Sequence, residues 1–163
     1  MKMNNKKFPL SVAIITKNEE ERLPDCLNSV SFADDIVVVD SGSNDRTLEI
    51  AREFGCRVFV EEWKGYGSQK NSAVQKCKHD WVLILDADER LAPVASDIIL
   101  KTLESPNADA YSLKMKHFFH GKWLRHGDHW PDYHIRLVNK KRGAFWGEIH
   151  ESWKTNGTIS KID

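Results

Sequence analysis

The sequence predicts an α/β fold: a mostly parallel sheet flanked by helices, followed by an antiparallel, aromatic-rich C-terminal part. Three observations carry this expectation. Apolar runs rich in Val, Ile and Leu, at residues 12–15, 36–39 and 81–85, end in polar clusters, the pattern of strands buried on both faces. Segments with apolar residues at helical spacing alternate with these runs, as in parallel sheets covered by helices. After Ser105, Pro106 and Asn107 the helical periodicity stops, and Trp and His become frequent.

The first strand is expected from Leu10 to Thr16 and stops at a run of Lys, Asn and Glu. Asn18, with Glu21 three residues on, has capping-box spacing for a following helix; Leu23, Cys26, Leu27 and Val30 supply its apolar face. The second strand, Asp35 to Asp40, leads into a Ser/Gly/Asn/Asp turn in which Asn44 or Asp45 caps the next helix. Leu48, Ala51 and Phe54 form the inward side of that helix, and Gly55 ends it. A short strand follows at Arg57 to Val60, then a helix over Ser68 to Lys78 with Ala73, Val74 and Cys77 inward. The strand Trp81 to Leu85 runs into Asp86, Ala87, Asp88 and Glu89, and Pro93 opens a helix reaching Leu103, with Val94, Ile98 and Leu103 in its core face. Beyond residue 105, strands are expected over Ala110 to Phe119 and His134 to Asn139, with a strand or loop over Gly143 to Glu151. Asn156 and Gly157 mark a hairpin turn. So few residues follow it that the chain reads as either an edge hairpin or part of a longer protein.

The 163 residues suit one domain, with residues 1–105 as a nucleotide-binding half and 106–163 as a second half facing another substrate. Lys plus Arg and Asp plus Glu balance at 24 each, which offers no basis for a nucleic-acid partner. Cys26, Cys56 and Cys77 are odd in number and form no Cys-x-x-Cys pair, so buried thiols in a reducing compartment are expected. The apolar stretch after the basic N-terminus is broken by Pro9 and Ser11 and is too short for a signal peptide or membrane span. A cytoplasmic protein is therefore expected, with room for peripheral contact at the inner face of the membrane.

Ligands of open α/β sheets bind at the C-terminal ends of the strands. Three such ends carry polar clusters: Thr16 to Glu19, Asp40 to Asp45, and Asp86 to Glu89. If the chain stays extended through Ala87, Asp86 and Asp88 project to the same side. Two hard oxygen donors there suit a divalent Mg²⁺ or Mn²⁺, which in turn holds phosphate. Asp40, the last residue of a buried strand, is left free for a base or ribose if Asn44 or Asp45 does the capping. No Gly-x-Gly-x-x-Gly follows the first strand and no Gly-x-x-x-x-Gly-Lys-Ser/Thr occurs, which argues against dinucleotide and P-loop chemistry. The loop after the first strand lacks the glycines a nucleotidyltransferase needs. A phosphotransferase with Asp86 as nucleophile would need Ser or Thr at position 90, which is Arg90.

The segments Val12 to Glu20, Val37 to Thr47, Gly67 to Asn71 and Leu83 to Glu89 resemble glycosyltransferase family 2. Together with His126 to Asp132, Arg136, Leu137 and Gly147 to Glu151, they are similar to its lipopolysaccharide core beta-glucosyltransferases. The resemblance covers nearly the whole chain. It implies a GT-A fold, a UDP-sugar donor, a divalent cation, a lipid-linked or lipopolysaccharide core oligosaccharide acceptor bearing heptose, and inversion at the anomeric carbon. A nucleotide-sugar-binding fragment without activity is the alternative. Carried over by position, Thr16, Asn18 and Glu19 border the nucleotide, Asp40 contacts uracil or ribose, and Lys70 lies near the base or diphosphate. Asp86, Ala87 and Asp88 form the Asp-x-Asp site, with Asp86, Asp88 and His150 as metal ligands. The proton of the acceptor hydroxyl needs a carboxylate from the second half: Asp128, Asp132, Glu148 or Glu151, with Glu151 first and Asp132 next.

Six of the seven histidines fall after residue 105. His117 with His120, and His126 with His129, have His-x-x-His spacing, but residues three apart on a strand face opposite sides and no cysteine is near, which disfavours zinc on those pairs. Trp146 and Trp153 are expected in the core, and Trp123 and Trp130 either in the core or at the acceptor.

Overall fold

The computed structural model describes residues 8–119, 122–124, 130–147 and 150–162. The chain runs β1 (Phe8–Thr16), α1 (Leu23–Ser29), β2 (Ala33–Asp40), α2 (Thr47–Glu53), β3 (Arg57–Val60), α3 (Tyr66–Lys76), β4 (Trp81–Asp86) and α4 (Ala95–Glu104). Then come β5 (Ala110–Met115), β6 (Phe118–Phe119), β7 (Lys122–Trp123), β8 (Asp132–Asn139), β9 (Gly143–Trp146), β10 (Ser152–Thr155) and β11 (Ile159–Ile162). Seven strands form one sheet in the order β11-β5-β8-β4-β1-β2-β3. β3, β2, β1 and β4 are mutually parallel. β8 runs antiparallel between β4 and β5. The parallel front half is therefore continued by β8, β5 and β11 of the back half in one sheet, while β6–β7 and β9–β10 form two separate antiparallel ribbons.

Alternation along the strands builds two cores. Leu10, Val12 and Ile14 of β1, with Leu83 and Leu85 of β4, face α1, α2 and α4 through Leu23, Leu27, Ile50, Ile99 and Leu103. Ala13 and Ile15, with Val82 and Ile84, face the other way onto Ala73, Val74 and Cys77 beside α3 and onto Phe145 and Trp153 of the β9–β10 ribbon. Both faces of β1 and β4 are thus covered, as their unbroken apolar runs require. Cys26 and Cys77 are buried, and burial pushes each thiol up to about 12, so both are inert packing groups. Among the described residues no helix is long and apolar enough to cross a membrane.

Several local expectations are corrected by packing. Asn18 does not cap α1: the helix begins at Leu23 after a turn closed on the Glu19 carbonyl, because Asn18 adopts positive φ and its side chain is used elsewhere. Asp45, one residue before the N-cap Arg46, does hold the start of α2, accepting the Thr47 N–H at 3.0 Å. The inward side of α2 is Thr47, Ile50 and Ala51, leaving Leu48 partly and Phe54 largely exposed. On α4, Ile99 takes the core position expected of Val94, which is 61% exposed just outside the helix. Trp153 is buried as expected, but Trp146 is exposed. Phe145 and Trp153 are directly opposed across the β9–β10 ladder and face α3, so the next residue, Trp146, must face out.

The Asn156–Gly157 hairpin does not form. After β10 the chain crosses to the large sheet, where β11 pairs in parallel with β5. Asp109 captures the turn: its carboxylate accepts the Thr158 N–H at 3.0 Å, and its own N–H donates to the Thr158 carbonyl at 2.9 Å. Gly157 lies against Asp109 so closely that a Cβ there would overlap the carboxylate.

Glu61, just after β3, ties that edge strand to α3 by accepting from Ser72 at 2.7 Å and pairing with Lys76 at 2.6 Å and Lys64 at 3.0 Å. The bonds from Lys76, Ser72 and Lys64 pull its carboxyl down to about 2 from an ordinary 4.5, against the opposing effect of burial. A depressed carboxyl contributes stability that is full above the unfolded value and lost as pH falls through the folded one. Glu61→Gln should therefore flatten the loss of stability between pH 4.5 and about 2. Thermal unfolding followed across that window measures it, and an unchanged acid limb would detach Glu61 from acid stability.

Candidate active site

Register brings the three polar strand ends together. Thr16 is paired with Asp40 across β1 and β2, and Ile15 with Asp86 across β1 and β4. The C-terminal tips of β2, β1 and β4 therefore form one continuous rim.

On one side of the rim the loops after β1 and β2 are joined by side chains bonded to backbone. The Asn18 N–H donates to Ser43 Oγ, and the Asn44 N–H donates back to Asn18 Oδ1, both at 2.8 Å. The Glu19 N–H donates to Thr47 Oγ1 at 2.8 Å, and the Arg46 N–H to Glu20 Oε2 at 2.9 Å. Asn18, at φ 54°, is the one non-glycine with positive φ among the described residues, a conformation Asn tolerates. Asp40 is not free. It is fully buried, and its carboxylate accepts the Gly42 N–H at 2.9 Å, the Ser43 N–H at 2.8 Å and the Ser43 hydroxyl. Asp45 at the start of α2 spares Asp40 from the helix, but the turn between them takes it instead.

Thr16 is buried, and its hydroxyl has no hydrogen-bond partner among the described residues. Residues Asn18 to Arg22 and Asp45, in the loops after β1 and β2, line an open polar cleft of about 250 Å³. Burial raises the Glu19 carboxyl above its ordinary value; Arg22 opposes this, and Asp88 and Asp45 reinforce it. Arg22 lies 3.5 Å from Glu19 and 4.0 Å from Asp88.

The centre of the rim is a buried charge cluster. Lys70 of α3 is only 2% exposed, yet it carries an ammonium. Its Nζ lies 2.7 Å from Glu151 Oε1, 3.0 Å from Asp86 Oδ1 and 3.3 Å from Asp86 Oδ2; only the Oδ2 contact to Asp86 has hydrogen-bond alignment. Arg136 of β8, also buried, donates to both oxygens of Glu89 and lies 3.5 Å from Asp86. Burial works against its charge, but Glu89 and Asp86 outweigh that and raise its pKa. Glu89 also accepts the Asp86 N–H, and the Glu89 N–H donates to the Asp86 carbonyl.

This closed turn corrects the extended reading of residues 86–88. The strand ends at Asp86, so strand alternation does not place Asp86 and Asp88 side by side. Asp86 is held by the two cations, Ala87 is buried in the core facing α1, and Asp88 stands 54% exposed at the rim. Among the described residues, Asp86, Asp88 and His150 do not form a cluster of converging ligand atoms; His117, Asp132 and His134 do.

The stretch Gly67 to Asn71 explains how the back half docks. Gly67 lets α3 approach the loop after β9: a Cβ would lie 2.5 Å from the Gly147 carbonyl oxygen and 3.5 Å from Glu151 Cβ. Asn71 exchanges two hydrogen bonds with the Phe145 backbone, at 2.8 and 2.9 Å, as a neighbouring strand would. Gln69 donates to Ser41 Oγ at 3.2 Å, beside Asp40. Lys70 therefore serves the Asp86 end of the rim, and its neighbour Gln69 serves the Asp40 end. The roles of Arg136, Glu89, Gln69 and Asn71 were missed because each depends on a partner far away in the chain.

Glu151 is no solvated hairpin residue; its carboxylate closes on Lys70 across the rim. Asp132 lies between two imidazoles, with His117 Nε2 at 2.7 Å and His134 Nε2 at 2.8 Å from its Oδ2. Burial raises its carboxyl, but the bonds from His134 and His117 prevail and hold it below its ordinary value. Trp123 and Trp130 are half-buried and meet edge to face at 4.9 Å. His120, His126, Asp128, His129 and Glu148 lie outside the described residues.

Residues 11–157 match the model of glycosyl transferase family 2. The chain belongs to glycosyltransferase family 2. It is 39% identical to an uncharacterized glycosyltransferase of Rickettsia typhi (strain ATCC VR-144 / Wilmington) over 93% of this chain and 53% of that protein. It is 37% identical to the lipopolysaccharide core biosynthesis glycosyltransferase LpsC of Rhizobium meliloti (strain 1021), over 60% of this chain and 38% of LpsC. The chain thus spans about half or less of the length of these curated relatives. Among solved structures it resembles S. aureus TarS 1-349 in complex with UDP, with a TM-score of 0.59, 24% identity, and coverage of 73% of this chain and 38% of that one. It also resembles glucosyl-3-phosphoglycerate synthase from Mycobacterium tuberculosis in complex with Mn²⁺, UDP and glucosyl-3-phosphoglycerate, with a TM-score of 0.54, 21% identity, and coverage of 64% and 43%. The family-2 chain has the GT-A fold, as its motifs implied.

Removing one partner of a buried charge cluster leaves the others uncompensated, at a cost of about 3–5 kcal/mol. Lys70→Met should destabilise the protein toward the lower end, about 3 kcal/mol, because Asp86 keeps a third of its side chain exposed. Urea unfolding measures this; a loss below about 1 kcal/mol would mean that solvent screens the cluster.

Proposed function

We propose that the protein is an inverting glycosyltransferase that moves glucose from UDP-glucose to a heptose of a lipid-linked or lipopolysaccharide core oligosaccharide. The observation that carries this reading is the rim itself. Asp88 is exposed at the rim, the buried Thr16 hydroxyl at the tip of β1 has no hydrogen-bond partner among the described residues, and Lys70 and Arg136 neutralise Asp86 between them. The relation to LpsC supports the acceptor class, and the UDP complexes of the two structural relatives support the donor. Work at the inner face of the cytoplasmic membrane follows from that acceptor.

The oxygen donors at the rim fit Mg²⁺ or Mn²⁺. Asp88, the carboxylate not held by a buried cation, is the first ligand in this reading; Asp86 and His150 do not converge on it in this structure and would join it once the ion and diphosphate are bound. Bound there, the ion supplies positive charge against the diphosphate of the leaving UDP.

The chain's own residues do the rest. Thr16, Asn18 and Glu19 border the nucleotide, with the Thr16 hydroxyl as a ready donor or acceptor. Asp40 acts through the turn it organises, which holds Gly42 and Ser43 against the nucleotide end of the cleft. Lys70 balances negative charge at the diphosphate end while orienting Glu151. Glu151 is the base: it takes the proton of the acceptor hydroxyl as that oxygen bonds to the anomeric carbon and UDP departs from the opposite face. Asp132, tied between His117 and His134, stands on the acceptor side, farther out along the sheet.

Three measurements on the full-length protein test the reading. UDP with Mn²⁺ should raise the melting temperature, and EDTA or Asp88→Ala should remove the increase; equal stabilisation by UDP with EDTA present would overturn the metal role. Glu151→Gln should leave UDP affinity unchanged and lower turnover by about 10²–10⁴; near-normal turnover would free Glu151 from the base role. UDP binding without glucose transfer to heptose-bearing core oligosaccharide would make the protein a nucleotide-sugar-binding module instead.

A further inference from the structure

Three potential metal ligands converge on the back half of the sheet, away from the Lys70 cluster. Asp132 and His134 are two residues apart on β8, so both project from the same side of the strand. β5 runs antiparallel beside it, with Met115 opposite Asp132 and Leu113 opposite His134. His117 comes two residues after Met115, and its ring reaches the same carboxylate. The two Nε2 atoms lie 2.7 and 2.8 Å from one oxygen, Asp132 Oδ2, and the three ligand atoms all lie within 4.8 Å of one another. A spacing-based search misses this set, because His117 lies in the link after β5 and His134 on β8, with the aspartate between them in space.

The donor set favours a particular class of ion. Two imidazole nitrogens and one carboxylate oxygen are the ligands of open zinc centres and of other borderline divalent transition metals. Mg²⁺ and Ca²⁺ prefer sites made of oxygen alone. The side chains of His117, Asp132 and His134 are 40%, 30% and 44% exposed, so an ion can enter directly from solvent and keep a coordination position open to water or a ligand oxygen. Along β8, Asp132 is four residues from Arg136, about 13 Å of strand at roughly 3.3 Å per residue. Arg136, not a ligand of this set, is the β8 residue that reaches Asp86.

We propose that His117, Asp132 and His134 form a binding site for one divalent transition-metal ion of the Zn²⁺ class, distinct from the Asp88 end of the rim. The inference is independent of sugar transfer: it concerns three side chains that Proposed function leaves outside the donor site.

The full-length protein, free of any polyhistidine tag and stripped with a chelator, is titrated with Zn²⁺ by calorimetry and with Co²⁺ by visible absorption. One equivalent of each should bind, with a dissociation constant of about 10 µM or tighter for Zn²⁺. His117→Ala and His134→Ala should each weaken binding at least about tenfold, while His79→Ala and Asp88→Ala leave it intact. Imidazole ¹⁵N spectra of the unmodified protein provide a readout that needs no variant: Zn²⁺ should shift the Nε2 signals of His117 and His134. The proposal is overturned if Zn²⁺ does not bind saturably, if binding survives both histidine substitutions, if it is lost in Asp88→Ala, or if the shifted signals belong to other histidines.

Discussion

The ammonium of Lys70 is the interaction on which the rest of the site depends. A charge buried this deeply is tolerated only with close partners of opposite sign. The chain supplies Asp86 from the end of β4 and Glu151 from the loop after β9. Meeting that need draws the back-half loop over the strand ends. Gly67 makes room for the approach, and Asn71 aligns the β9 backbone beside α3. Arg136 repeats the arrangement from the other flank through Glu89. The acidic strand end is consequently balanced from inside the protein, and Asp88 is the carboxylate it presents outward.

The same rule shapes the side of the rim formed by the loops after β1 and β2. Few of its polar groups are idle, because the loops after β1 and β2 use each other's backbone N–H groups and side chains as partners. Asp40 gathers a turn around itself, and Asn18 bridges to Asn44. A rim assembled this way is organised before any ligand arrives, which is how a site limits the ordering cost of binding. The Thr16 hydroxyl, buried and without a partner among the described residues, breaks the pattern at the tip of the middle strand, β1.

Away from the rim, the opposite ends of the central strands are closed by a network with no role in the site. Asp35 accepts from Ser11, from the Arg57 guanidinium and from the Lys78 N–H, and the His79 N–H donates to Ser11. Burial would raise the Asp35 carboxyl, yet Arg57, Lys78 and Ser11 together hold it below its ordinary value. The sheet is thus pinned by polar clusters at both ends, with the apolar cores between them.

The sequence by itself determined the strands and helices of the front half, the rim at the strand ends and the family. Those features are local: apolar runs, helical spacing and short motifs such as residues 83–89 or 67–71 are complete within a few residues. It also singled out Glu151, Asp132 and Asp88 as candidates. Only the tertiary structure decided what each charged group does, because partners are chosen by space. Lys70 meets Glu151 across 81 positions of chain, and Arg136 meets Glu89 across 47. Asp40 looked free until the turn closed on it. Trp146 looked like core until the pairing of Phe145 with Trp153 set which side faced α3. The Asn156–Gly157 turn carried a strong hairpin signal, but Asp109, remote in sequence, held its backbone and sent the last strand to β5. A local preference of this kind is a weak energy, and a distant partner that satisfies more hydrogen bonds overrides it.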